Sequence, residues 1–304
     1  MTRRCDMTGF FVAVLTVLCT TFAAVAEDRI RVGSTYDADT NSVRLDTLLR
    51  PVLSVYSIEA GTAHIAQTYL SPLHNSGAAI ALGYDRSQAM AFDPSRWVMS
   101  LGFRLDGART FNEPARNKVL WDMSLRASWS MMRRWNVGAW SFFAGGHTAL
   151  DAGAQYVPAN GNNPVAAKAS WTIGASAAAA YHTALARKPL TLRYLAEMPL
   201  TGVFFAPEYG ELYYEIYLGN HRGLVRGAWP GNFFRYSGLL SADVRLGSTI
   251  LRLGYRLNIS SVKASDIVCN NVGHMAVLAI ASEWISLSPT RRPSPQARII
   301  SSLY

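Results

Sequence analysis

Three groups of residues could do chemistry. The first is His74-Asn75-Ser76. Ester hydrolysis or acyl transfer needs an activated serine, a histidine base and a polar group that orients the base. An H-x-S spacing brings both side chains to one face when the segment is a strand. Here the tripeptide reads as part of a loop, and no carboxylate nearby is an obvious third member. The second group is a set of charges on the polar faces of alternating segments: Arg104, Asp122, Arg126, Arg193, Glu197, Asp243, Arg245, Arg252 and Arg256. The third is scattered. His147 and His182 sit in or beside alternating segments and read as plain polar residues, and His221 lies in a loop. No histidine pair has ligand spacing with a third donor, and neither a phosphate loop nor a dinucleotide fingerprint occurs. No catalytic residue, metal or cofactor is therefore expected.

The elements that must position the charges are strands. In Lys118–Ser130, Val119, Trp121, Met123, Leu125, Ala127 and Trp129 alternate with Leu120, Asp122, Ser124, Arg126, Ser128 and Ser130. Successive side chains of a strand point to opposite faces, so this is a strand with one apolar and one polar face. The pattern recurs. Trp97–Leu105 sets Trp97, Met99, Leu101, Phe103 and Leu105 against Ser100, Gly102 and Arg104. Leu251–Ile259 sets five apolar residues against Arg252, Gly254, Arg256 and Asn258. Ala78–Tyr84, Ser170–His182, Leu190–Glu197 and Leu240–Leu246 behave alike, and Val52–Gly61, Val137–Gly146 and His274–Trp284 complete a set of ten. Many are near the roughly 9–11 residues that a tilted strand needs to cross a membrane.

The N-terminus reads as an export signal. Arg3 and Arg4 precede an apolar stretch from Gly9 to Ala23, and Ala24-Val25-Ala26 is a cleavage site of the A-x-A kind, giving a mature start at Glu27. Cleavage removes Arg3, Arg4 and Asp6, taking the net charge from +9 to +8. It also removes Cys5 and Cys19, leaving Cys269 alone and excluding an intramolecular disulfide. Half the residues are apolar and 11% aromatic, yet no later run is long and uncharged enough for a membrane helix. Trp97, Trp129, Trp135, Trp171 and Trp284 fall at strand ends, where the aromatic girdles of a membrane barrel lie.

These features specify an all-β fold: an antiparallel transmembrane β-barrel of ten to twelve strands in the outer membrane of a Gram-negative cell. The domain plan is a signal peptide (1–26), a periplasmic lead-in (27–51), the barrel (52–285) and a periplasmic tail (286–304). Met132–Trp135, Leu185–Lys188 and Gly247–Ser248 read as tight periplasmic turns. Ala63–Ser76, Gly107–Asn117, Asp151–Lys168 and Ser260–Val272 read as long external loops, and Asp85–Arg96 is long for a periplasmic turn. Strand direction requires an even number of crossings between Thr201 and Asn232, so zero gives ten strands and two give twelve; ten is favoured. A mid-plane arginine facing lipid would cost about 2–4 kcal/mol, so the nine charges are expected to line the lumen. Their excess of arginine would favour anions if ions pass.

The segment TGVFFAPEYGELYYEIYLGNHRGLV (Thr201–Val225), with Thr68-Tyr69-Leu70-Ser71-Pro72 and Gly161-Asn162-Asn163-Pro164, resembles the Bacteroidales outer-membrane family catalogued as domain of unknown function 3316. The likeness runs from about Val52 to Trp284 and implies a barrel of this plan, with no activity to carry over. The H-x-S spacing is separately similar to that of a lipid A deacylase family. The expected function is a structural barrel or a narrow, porin-like passive pore whose external loops bind a partner. The alternative is an outer-membrane lipid-modifying hydrolase or acyltransferase. Expected partners are outer-membrane lipid and lipopolysaccharide, with an extracellular ligand or small anion; nucleic acid is excluded by compartment, and the chain is expected to be a monomer.

Overall fold

The computed structural model describes residues 48–161, 164–207, 218–219, 223–285 and 298–302. The export signal, nearly all of the lead-in and most of the tail lie outside the described residues, as do Asn162, Asn163, His221 and most of the segment from 208 to 222. The chain divides into two units, Met1–Leu48 with Ser288–Arg298, and Leu49–Leu287 with Ile299–Tyr304; the barrel belongs to the second.

Alternation of apolar and polar residues produces strands throughout. In order they are β1 (Leu48–Leu49), β2 (Val52–Gln67), β3 (His74–Ala89), β4 (Trp97–Asn112), β5 (Val119–Val137), β6 (Trp140–Tyr156), β7 (Val165–Leu185), β8 (Lys188–Phe205), β9 (Val225–Ala228), β10 (Phe233–Leu246), β11 (Thr249–Ala264), β12 (Ile267–Trp284) and β13 (Arg298–Ile299). Ten of them, β2–β8 and β10–β12, form one antiparallel sheet that closes on itself: β8 pairs with β10, and β12 pairs with β2. β9 adds only four pairs to the end of β8, so among the described residues no crossing occurs beyond the ten. Closure satisfies every edge, the condition for a sheet that must stand in lipid.

The side-chain faces separate cleanly. On β5, Trp121, Met123, Leu125 and Trp129 are exposed on the outer wall, while Asp122, Ser124, Arg126, Ser128 and Ser130 face inward. Tyr56, Ile58, Ile80, Leu82, Leu192, Leu253 and Leu278 continue the exposed apolar belt on other strands.

The two ends differ. At one, Gly138-Ala139, Ala186-Arg187 and Gly247-Ser248 join strands in two residues. Positive φ at Gly138 (59°) and Gly247 (69°) gives the twist that such hairpins require. The seven-residue connection 90–96 between β3 and β4 shares that end. At the other lie connections of six to eight residues, the two-residue Ser265-Asp266 and the long segment between β8 and β10. We refer to these as the turn end and the loop end.

Several connections differ from the sequence expectation. The loop read at Ser260–Val272 is almost entirely strand, with only Ser265-Asp266 between β11 and β12. Pairing continues there through Ser260↔Asn271 and Ser261↔Asn270. Beyond the apolar belt both faces are polar, so the alternation that marks a strand fades while the backbone ladder persists. The same effect hides the outer parts of β2, β3, β4, β6 and β7. The turn read at Met132–Trp135 lies within β5, which runs to Val137 before Gly138 breaks it.

One turn is built against its residue types. Ala186 (φ 49°) and Arg187 (φ 65°) both occupy the left-handed region, which costs a residue with a Cβ about 1–2 kcal/mol. Replacing the pair with Asn-Gly, the residues this turn prefers, should stabilise the barrel by about 1–2 kcal/mol. The shift would be measured as a rise in the midpoint of urea unfolding from lipid vesicles.

Candidate functional site

The polar inner face encloses a cavity of about 310 Å³. Of the nine charges singled out in the sequence, Arg104, Asp122, Arg126, Arg193, Glu197, Arg252 and Arg256 line it. Asp243 lies directly opposite Arg252 in the β10–β11 ladder and binds it through two hydrogen bonds of 2.7 Å each. Arg245 sits nearer the turn end and pairs with Glu283 at 2.7 Å.

The lumen also holds charges that the sequence reading passed over: Glu59, Asp85, Asp106, Asp151, Lys168 and Arg235. They change its electrical character. Six carboxylates and seven cations line the cavity, and Asp243, bound to Arg252, brings both signs to seven. The expected arginine excess is therefore absent from the described lumen. Glu59 and Asp151 were missed because each lies in a segment where small or apolar residues occupy both faces, as in Ile58-Glu59-Ala60 and Leu150-Asp151-Ala152. Asp85 and Asp106 fell at the ends of recognised segments. The one available signal was position: each is an even number of residues from a recognised inner or opposite to a recognised outer residue.

The charges are bound to one another across strands. The Glu59 carboxylate is fully enclosed; Arg104 Nη1 lies 2.5 Å from it, and Arg256 Nε donates to both its oxygens at 3.2 Å. These partners stand on β4 and β11, each two strands from β2. Arg104 Nε also reaches Asp106 at 2.8 Å. Asp151 on β6 accepts from Arg126 Nε at 2.8 Å and from Arg235 Nη1 at 2.5 Å, the latter on β10, three strands away. Lys168 Nζ and Gln155 Nε2 bind the two oxygens of Asp122 at 2.5 and 3.2 Å.

Apolar layers flank this network. Toward the turn end, Leu53, Val55, Ile250, Ala279 and Ala281 pack together, and Val98, Met132, Phe143, Ala178 and Ala180 form a second group. Toward the loop end, Ile65, Leu70, Leu120, Val157 and Met275 form a larger cluster, with Phe204, Ala206, Phe233 and Ala264 beside it.

A second polar group stands on the outer wall at the loop end. His74-Asn75-Ser76 opens β3 rather than lying in a loop, because the β2–β3 ladder extends to His74↔Ala66. Ser76 Oγ donates to Glu113 Oε1 at 2.5 Å, so a carboxylate partner exists after all. Glu113 is held there by its own N–H, which donates to the His74 carbonyl at 2.8 Å. Sequence reading could not supply this partner, since it follows β4 and reaches β3 only through the fold. His147 and His182, by contrast, are held by inward-facing hydroxyls: Ser176 at 3.1 Å, and Ser141 and Thr191 at 3.0 and 3.1 Å. Among the described residues, no three His, Cys, Asp or Glu side chains converge as a metal site.

With the geometry set out, comparison with known proteins is informative about lineage. The sequence matches the family described as protein of unknown function (DUF3316) over residues 11–291. The chain belongs to the DUF3316 family. No curated protein matches it. Among solved structures, this DUF3316 protein is similar to neisserial surface protein A at 11% identity, covering 76% of this chain and 97% of that one, with a TM-score of 0.31. It is also similar to the translocator domain of the autotransporter NalP from Neisseria meningitidis (10% identity, 87% and 98% covered, TM-score 0.37). An outer membrane channel from Pseudomonas putida F1 gives 8% identity, 78% and 96% covered, and a TM-score of 0.35. None of these likenesses lends this chain a function.

The network predicts an ordering of stabilities. Glu59→Gln leaves two inward arginines without their enclosed carboxylate and should destabilise the barrel by about 3–5 kcal/mol. Asp106→Asn, at a side chain 35% exposed, should cost about 1 kcal/mol or less. Urea unfolding of both variants in lipid vesicles measures the difference.

Proposed function

We propose that this chain is an outer-membrane β-barrel whose lumen is closed to solutes, serving as a rigid transmembrane scaffold rather than as a pore. The observation that carries the reading is the interior: a charge-balanced network tied across the lumen and flanked by apolar layers toward both ends. An ion entering would have to pass apolar side chains toward each end and then displace an arginine or carboxylate from a direct partner. Barrels of about eight strands are filled by side chains, whereas those of 16–18 hold channels, and ten lies near the filled end.

Membrane placement is supported by the outer wall. Its exposed belt is apolar on strand after strand, with Ile80 at 66% and Ile58 at 64% of full exposure. So large an apolar surface is a membrane or partner surface in a soluble environment's terms, and here it encircles a sheet without open edges. The export signal read at the N-terminus agrees with this compartment. The turn end would then face the periplasm and the loop end the exterior.

Single-channel recording tests the proposal. The mature chain, folded into a planar bilayer and verified by heat-modifiable gel mobility, should give no discrete ohmic steps. Steps in the folded wild type would replace the scaffold with a pore.

A further inference from the structure

We propose that the outer wall at the loop end carries a serine ester-hydrolase site for an acyl ester of a phosphate-bearing membrane lipid. It goes beyond the scaffold reading and depends on it only for the lipid that would bathe this wall.

The reacting group is Ser76. Its hydroxyl already donates to the Glu113 carboxylate at 2.5 Å, and the carboxylate is fixed from behind by the Glu113 N–H on the His74 carbonyl. That is the geometry of a nucleophile and a proton acceptor within direct reach. His64 stands directly opposite Ser76 in the β2–β3 ladder, which sets their Cβ atoms about 4.5–5.5 Å apart on the same face. His64, His74, Ser76 and Glu113 line one shallow cavity on the wall. A structural role alone explains this poorly. A half-buried serine beside an apolar belt needs no carboxylate for its own sake, and Glu113 already has Arg116 at 3.3 Å.

The lipid class follows from the neighbours. Arg109 lies one step along the outer face, opposite Ala78, stacked 5.0 Å from the Phe111 ring and 5.5 Å from the Trp121 ring. Stacking holds the guanidinium by its faces and leaves its N–H edge to bind a phosphate in two places. As the diagonal cross-strand neighbour of Ser76, whose direct partner is Phe111, Arg109 lies about 7–8 Å away, a distance that a phosphate and a nearby ester linkage of one lipid can span. Down β3 from Ser76 the outer face reads Ala78, Ile80, Leu82. Ala78 and Gly107 are small, and the exposed Ile80 and Leu82 beyond them offer a wall for the acyl chain.

The step balances without a co-reactant other than water. Ser76 Oγ forms a bond to the ester carbonyl carbon as its proton passes to Glu113. The bond from that carbon to the alcohol oxygen breaks, and the departing oxygen takes a proton from Glu113, with His64 placed across the site to steady the charge. Water then adds to the acyl-serine, releasing a fatty acid and restoring the hydroxyl.

The test uses full-length mature protein folded in detergent, mixed in separate arms with phosphatidylethanolamine–phosphatidylglycerol vesicles, with the same vesicles carrying lipid A, and with the soluble ester p-nitrophenyl butyrate. Fatty acid release is read by mass spectrometry and nitrophenol by absorbance. Wild type should hydrolyse the soluble ester and deacylate one of the two lipids, and which arm responds identifies the source of the phosphate. Ser76→Ala and Glu113→Gln should lower all rates by about 100-fold or more, with heat-modifiable mobility retained. Arg109→Ala should raise KM about tenfold for the lipid and leave p-nitrophenyl butyrate unchanged. Loss of membrane insertion with hydrolysis of the soluble ester intact would overturn the membrane reading and keep the site. A folded wild type inert in all three arms, or a Ser76→Ala variant as active as wild type, overturns the site.

Discussion

The enclosed carboxylate of Glu59 is the constraint around which the interior is arranged. A lone charge in that position would cost several kcal/mol of lost hydration, repaid only when partners are close and well oriented. Arg104 and Arg256 meet that demand from strands on opposite sides of β2. Arginine cannot shed its proton, so each must in turn find anions, and Arg104 shares itself with Asp106. Charge balance in the lumen is thus a condition of its existence. The seven acids and seven bases follow from one another: Glu59, Asp151 and Asp122 draw partners from non-adjacent strands, while Arg252 and Asp243 pair across a single ladder.

How much of this was legible in the sequence depended on what each residue type faces. Where one face meets an apolar surroundings and the other a polar lumen, as in Val119–Trp129, alternation identified strand, face and orientation together. Where both faces are polar, as in Ser260-Ser261 opposite Asn270-Asn271, it could not, and β11 and β12 extended past their recognised ends. Glu59 and Asp151 hid for a related reason: a single charge among alanines, glycines and aliphatics does not set a period. The arginine-rich lumen inferred from nine residues was a consequence of that omission. The partner of Ser76 was out of reach for another reason. Thirty-seven positions separate it from Glu113, and only the β3–β4 ladder and the short connection after it make them neighbours.

Inside and outside consequently play different parts. The inner face binds most of its charges to one another. The outer wall is apolar along its belt, and near the loop end Ser76, Glu113, His64 and Arg109 gather within a few strand steps. A scaffold that is rigid because its core is locked is also a good mount for groups on its surface. Side chains on paired strands keep their spacing far better than those on loops.

The seam between β2 and β12 has a bearing on how the barrel comes into being. It pairs Val52 with Trp284 and Gln67 with Cys269, and the Trp284 indole donates to the Ser54 hydroxyl at 3.0 Å. The other ladders of the barrel join strands that are near neighbours in the chain, mostly through hairpins that can zip locally. The seam alone unites the two ends of the sheet, so its loop-closure entropy is met last. Until then β2 presents a bare edge of the kind that recruits foreign strands. The interval between formation of the first strand and arrival of the last is therefore when this chain is most exposed to mispairing, and the length of the seam favours the correct partner over any short-lived one.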